Sequence, residues 1–165
     1  MDDTQNDSVL DADEAHLDGL GEQLFAALRL REKNQVDKAA EVLRGILKVE
    51  PRLAEPRLEL ARILLDTGQL EEARSQAEEA TRILETGGQW TDEIPENVLS
   101  SMAYGLLGEI IRRQADADEV VFGEPEEWRA LLNASEAAFK RATALAPATD
   151  HADYWAGGTD RPPTE

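Results

Sequence analysis

Apolar positions recur at helical spacing along most of the chain, broken by short polar turns and by prolines. Leu20, Leu24, Ala27 and Leu28 follow one another at intervals of one, three and four. That pattern predicts a helix that starts between Leu17 and Leu20 and runs to Lys33. The polar step Asn34-Gln35 reads as a turn, and a second helix is expected from Val36 to Val49, stopped by Pro51. Proline cannot continue the backbone hydrogen-bond ladder. The same sentence is then spoken again: a helix from Glu55 to Thr67, a turn at Gly68, a helix from Leu70 to Leu84, and a stop at Gly87-Gly88. Gly68 suits the left-handed residue that ends many helices, because it has no Cβ to clash. Beyond a longer connection, Gln89–Asn97, a fifth helix is predicted from Glu96 to Gln114, carrying Ala103, Tyr104, Leu107, Gly108, Ile110 and Ile111. Ala115–Pro125 reads as a loop, and a last helix is expected from Glu126 to Leu145, before Pro147. Six helices in three antiparallel pairs make an all-α fold.

The first two pairs are copies of one pattern 34 residues long, Leu20–Leu53 and Ala54–Gly87. Asn34-Gln35-Val36-Asp37-Lys38-Ala39 falls on Gly68-Gln69-Leu70-Glu71-Glu72-Ala73, Leu30 falls on Leu64, and Ile46 on Ala80. A period in this range signals stacked units, since one helix pair cannot bury its own apolar face. Small residues recur in register, Ala27 with Ala61 in the first helices and Ala39 with Ala73 in the second, and Pro51 closes the first copy. In these residues the chain resembles the tetratricopeptide repeat family. Tyr104, Leu107-Gly108 and Ile111, then Phe139, Ala142 and Pro147, are similar to the family's two helical signatures in a third, degenerate copy. That copy spans 101–147 and carries an insertion at 115–129. Gln23 and Arg57 depart from the pattern where an aromatic is common, as does Glu85 at a second terminating proline. The organisation expected is an acidic disordered segment at 1–16, a repeat domain at 17–147 and a loop-like tail at 148–165.

The resemblance implies a short right-handed solenoid whose first helices line a concave groove, with a peptide or a partner helix as ligand and no enzymatic activity. With the repeats so phased, the groove residues are Leu24, Leu28 and Arg31 from the first copy and Leu58, Arg62 and Leu65 from the second. The third adds Met102, Glu109, Arg112 and Arg113. Arg31, Arg62, Arg112 and Arg113 would then form a guanidinium strip suited to an acidic segment, since guanidinium forks grip carboxylates in two-pronged fashion. The plainer alternative pairs these arginines with Glu32, Glu55, Asp66 and Glu109 on the same surface. Leu24, Leu28 and Leu106 stand where some family members place a lysine and asparagine clamp for a terminal carboxylate. An amphipathic ligand is therefore expected in place of a chaperone tail.

Charge narrows the partners. The formal net charge is −18, a field of the wrong sign for phosphate, so no nucleic-acid partner is expected. Residues 1–19 hold seven acids and no Lys or Arg, and Gln114–Glu127 hold six. The first of these acidic runs is opposite in charge to the arginine strip and is a candidate to lie across it. No apolar run approaches the roughly 20 residues that span a bilayer, and the acidic start lacks the features of a signal peptide. A cytoplasmic protein without membrane insertion is expected, and the excess of arginine over lysine hints at a bacterial source.

Catalysis finds little support. There is no cysteine, which removes thiolate chemistry, thiolate metal sites and disulfides. The two histidines, His16 and His151, fall in the expected tails, and acidic pairs such as Glu71-Glu72 read as solvated helix faces. Asp116-Ala117-Asp118-Glu119 lacks the glycine and distal glutamate of a calcium loop. No cofactor or metal is expected. The aromatic residues raise a different question, because Trp90, Trp128 and Trp155 all lie outside the two regular copies. They are expected to cover exposed helix faces. The outer face around Leu132, Phe139 and Leu145 needs such cover, from Tyr154-Trp155, from Val120-Val121-Phe122, or from a second copy or another protein. The leading functional reading is an adaptor or assembly factor that binds a protein segment. A secretion chaperone and a structural subunit of a larger or self-associating assembly are the alternatives.

Overall fold

The computed structural model describes residues 14–90 and 93–146, with side chains from His16 onward. Among these residues the chain forms seven α-helices and no strand: α1 (Glu14–Glu32), α2 (Val36–Val49), α3 (Ala54–Asp66), α4 (Leu70–Glu85), α5 (Glu96–Ala115), α6 (Asp118–Val121) and α7 (Pro125–Leu145). Its contacts divide it between Trp90 and Thr91 into two compact units. The all-helical expectation holds. The seventh helix is α6, a single turn inside the segment read as a loop.

In the first unit each helix packs on the next, α1 on α2, α2 on α3 and α3 on α4. The 34-residue period is written into the backbone. Helix α1 ends at Glu32 and α3 at Asp66, while α2 starts at Val36 and α4 at Leu70. Between them Asn34 (φ 59°) and Gly68 (φ 79°) occupy the same left-handed position. The amide of Gln35 donates to the Leu30 carbonyl and that of Gln69 to the Leu64 carbonyl, both at 2.8 Å. Each bond satisfies a carbonyl that the helix end would leave without a partner. Asparagine tolerates this conformation better than most side chains, and glycine needs no tolerance. Gly87 (φ 76°) closes α4 in the same way.

The recurring small residues lie in the core. Ala27, Ala39, Ala61 and Ala73 are buried, with Leu43 and Ile46 beside them. Helix α3 is central to the unit, so Leu58, Leu60, Ile63, Leu64 and Leu65 are all buried. Helix α1 is at its edge and keeps Leu24, Leu28 and Leu30 half-buried and Phe25 56% exposed. Arg57, which replaces an aromatic, donates to the Pro51 carbonyl at 2.7 Å and to the Gln76 side chain at 2.7 Å. It thereby ties the α2–α3 turn to α4. Trp90 folds back within this unit: its amide donates to the buried Glu55 carboxylate at 2.9 Å. Its ring lies over Gly21, where a Cβ would meet it at 3.7 Å.

In the second unit α7 runs antiparallel to α5. The contact pairs show the direction: Asn97 with Leu145, Ser101 with Ala142, and Ser135 with Gly108. The Ser101 hydroxyl donates to the Ala142 carbonyl at 2.5 Å and the Ser135 hydroxyl to the Gly108 carbonyl at 2.9 Å. Both serines are buried, so these bonds satisfy polar groups that burial would otherwise penalise. Helix α7 opens with Pro125 and then Glu126 and Glu127, a first turn suited to the positive end of the helix dipole. Residues 1–13 and 147–165 lie outside the described residues, and with them the expected N-terminal segment, the acidic run set against the arginines, Pro147, His151, Tyr154 and Trp155.

Candidate protein-binding surfaces

The six groove residues expected in the first unit divide by exposure. Leu58 and Leu65 are 6% and 3% exposed, so their side chains belong to the core and present almost nothing to a ligand. Leu24, Leu28, Arg31 and Arg62 are half-buried and reach the surface. Arg31 already has an acid, forming a part-buried ion pair with Glu59. That partner is none of the four acids that the plainer alternative named. Arg31 belongs to α1 and Glu59 to α3, so the pair bridges equivalent helices of successive repeats.

A second pair does the same between the other two helices. Arg44 of α2 grips Glu72 of α4 through both guanidinium nitrogens, the second at 3.1 Å. Each pair joins residues 28 apart in sequence, a separation that only stacked repeats bring together. A third fork is local: Arg52 donates to both oxygens of Glu50 at 2.8 Å. Hydrogen bonds from these arginines hold the Glu72 and Glu50 carboxyls below the usual carboxylate range. Arg82 does the same to Glu79. A lowered folded-state pKa means that the native protein binds fewer protons than the unfolded chain. The stabilisation is therefore in place above an ordinary glutamate pKa of about 4.3, and is lost as pH falls through the lower folded-state values. Relief of the net −18 charge works the other way between pH 7 and about 5. Urea midpoints are expected to rise on mild acidification and to fall steeply below about pH 4. Glu72→Gln should flatten that acid limb, and an unchanged limb would deny the pair this role.

The second unit holds the remaining four, all on α5. Met102 is half-buried, and Glu109, Arg112 and Arg113 are exposed. Arg112 forms an ion pair with Asp116 at 3.3 Å, one turn further along. It also borders an open groove of about 720 Å³ that Leu132, Ser135, Glu136, Phe139, Lys140, Thr143 and Ala144 of α7 complete. Trp128, Leu132, Ser135, Phe139 and Thr143 follow each other at three- and four-residue steps, so one stripe of α7 carries the apolar floor. Phe139 is 42% exposed and Trp128 39%. The expected cover from 120–122 is absent: Phe122 is 85% exposed and Val121 49%. Lys140 and the share of Arg112 in this groove were not anticipated, although the stripe itself is readable from the sequence.

Among the described residues no group of three or more His, Cys, Asp or Glu side chains is placed to hold a metal ion. No described helix is long and apolar enough to cross a membrane. Residues 30–93 match the family model for the tetratricopeptide repeat. That stretch is a tetratricopeptide repeat segment. The match runs from the end of α1 to just past α4, the stretch in which helix starts and left-handed turns recur at 34 residues. Helices α5–α7 lie outside it. No curated protein gives a significant match. Repeats of this kind generally mediate protein–protein interactions, and that general role is what the match brings to the first unit.

Proposed function

We propose that the protein is a non-enzymatic adaptor or assembly factor, and that the repeat unit docks a peptide or helix of a protein partner on the face formed by α1 and α3. The match of 30–93 to an interaction repeat carries this reading. It is supported by the part-exposed Leu24, Leu28, Arg31 and Arg62 on the helices that such repeats use for binding. The chemistry of the ligand follows from these groups. Leu24 and Leu28 offer an apolar seat at the open edge of the unit, so the partner brings apolar anchors. Arg31 is held by Glu59, and an incoming carboxylate would compete for it, so an acid on the partner acts as a selectivity element. On this reading Arg112 and Arg113 belong to a second contact on α5, together with Met102 and Glu109.

Capture of partners from lysate, comparing wild type with Arg62→Glu and with Arg112→Glu, tests the assignment. A partner retained by Arg112→Glu and lost by at least about tenfold from Arg62→Glu, a difference of about 1.4 kcal/mol, places docking on the repeat face. Loss from Arg112→Glu alone would move it to the second unit. Equal retention by both would remove the arginines from recognition and favour a structural subunit.

A further inference from the structure

The open groove along α7 lacks an occupant among the described residues, and its chemistry selects one. Its floor is Leu132 and Phe139, with the part-exposed Trp128 one turn before Leu132 on the same stripe, and its edges carry Lys140, ion-paired with the lining acid Glu136 at 3.0 Å, and Arg112, ion-paired with Asp116 at 3.3 Å. On a protein of net charge −18, both cations are exposed and held only in single-turn surface pairs, which are worth little, so the carboxylates of an incoming segment can share them. We propose that the groove is occupied by the chain's own C-terminal segment Asp150–Trp155, with Tyr154 and Trp155 on the apolar floor and Asp150 and Asp153 toward Arg112 and Lys140.

Three features of the molecule support this occupant. The first is reach. Helix α7 ends at Leu145, and the nine residue-to-residue steps from Ala146 to Trp155 can span up to about 30 Å when extended. Phe139 lies only about 10 Å back along the helix from Ala146, and Trp128 about 27 Å, at 1.5 Å per residue. The second is composition. Asp150-His151-Ala152-Asp153-Tyr154-Trp155 joins two adjacent aromatics to two acids, and 147–160 contain no Lys or Arg. Large aromatic rings are the side chains that gain most from leaving water for such a floor. The third is competition. A second copy would bring another net −18 to the contact, whereas a short tether holds the segment near the groove at an effective concentration of about a millimolar. The segment 120–122 does not compete, since Phe122 remains 85% and Val121 49% exposed.

The absence of cysteine makes a crosslinking test unambiguous. The full chain carrying Glu136→Cys and Ala156→Cys is oxidised with oxidised glutathione at low protein concentration, and the linked species is read by non-reducing mass spectrometry. A fast intramolecular disulfide is expected, slowed by about tenfold when Tyr154→Ser and Trp155→Ser are added at unchanged tether length. Phe139→Ser should slow it similarly, with circular dichroism confirming that the helices persist. Equal rates with and without the two aromatics would overturn the proposal, because the tether alone would then explain the crosslink. A disulfide-linked dimer as main product would overturn it in favour of a second copy in the groove.

Discussion

Leu64→Ala is expected to destabilise the repeat unit by about 2–5 kcal/mol, and Leu30→Ala by less than half as much. The two leucines hold the same position in successive repeats and accept equivalent turn bonds, from the amides of Gln69 and Gln35. They differ in where their helix sits. Leu64 is 1% exposed on α3, which packs on α2 and on α4, so truncation leaves a cavity that neither neighbour can fill. Leu30 is half-buried on α1, where water can take part of the vacated space and the loss is closer to transfer of the missing carbons alone. Urea denaturation of the full chain followed by far-ultraviolet circular dichroism would measure both. Equal losses would mean that the repeat position, and not the place in the stack, sets the energy.

That contrast also separates what could be read from the residues and what could not. The turns were legible because they depend on local chemistry: Asn34 and Gly68 tolerate a left-handed backbone whatever surrounds them. The helices were legible because alanines and leucines recur at fixed steps, and α2 and α4 begin at the residues that periodicity predicts. Burial of Leu58 and Leu65 was not legible. Repeat phase names a residue's face, but only the number of neighbouring helices decides how much of it stays open. The pairs Arg31–Glu59 and Arg44–Glu72 were hidden for a related reason. Arg31 has Glu32 and Arg44 has Glu41 within a turn, yet each pairs with an acid brought to it by stacking of helices far apart in sequence. Helix α6 was missed because one turn of Asp-Glu-Val-Val carries too little periodicity to distinguish it from a loop. In the candidate surfaces, the α7 stripe was visible as spacing, while the cations at its edges came from a second helix and from a position that spacing alone does not mark.

The glycines of α5 give the second large effect, and it has opposite signs three residues apart. Gly105 faces open space, with nothing within 4 Å of a built Cβ. Gly105→Ala should therefore stabilise the protein by about 0.5–1 kcal/mol, through lower backbone entropy in the unfolded chain and better helix propensity. Gly108 is buried in the contact with α7. A Cβ there would stand 2.9 Å from two carbons of the Phe139 ring, beside the bond from the Ser135 hydroxyl to the Gly108 carbonyl. The ring is part-exposed and can swing outward, so Gly108→Ala is expected to cost about 1 kcal/mol, and Gly108→Leu about 3 kcal/mol or more as the helices are forced apart. Denaturation midpoints of the three variants decide the matter. If Gly108→Ala stabilised as much as Gly105→Ala, the close approach of α5 and α7 at this residue would not be a determinant of the fold. If it destabilised as expected, displacement of Phe139 would also disturb the groove floor. Adding Gly108→Ala to the chain that carries Glu136→Cys and Ala156→Cys should then slow its intramolecular disulfide, linking the helix contact to occupancy of the surface above it.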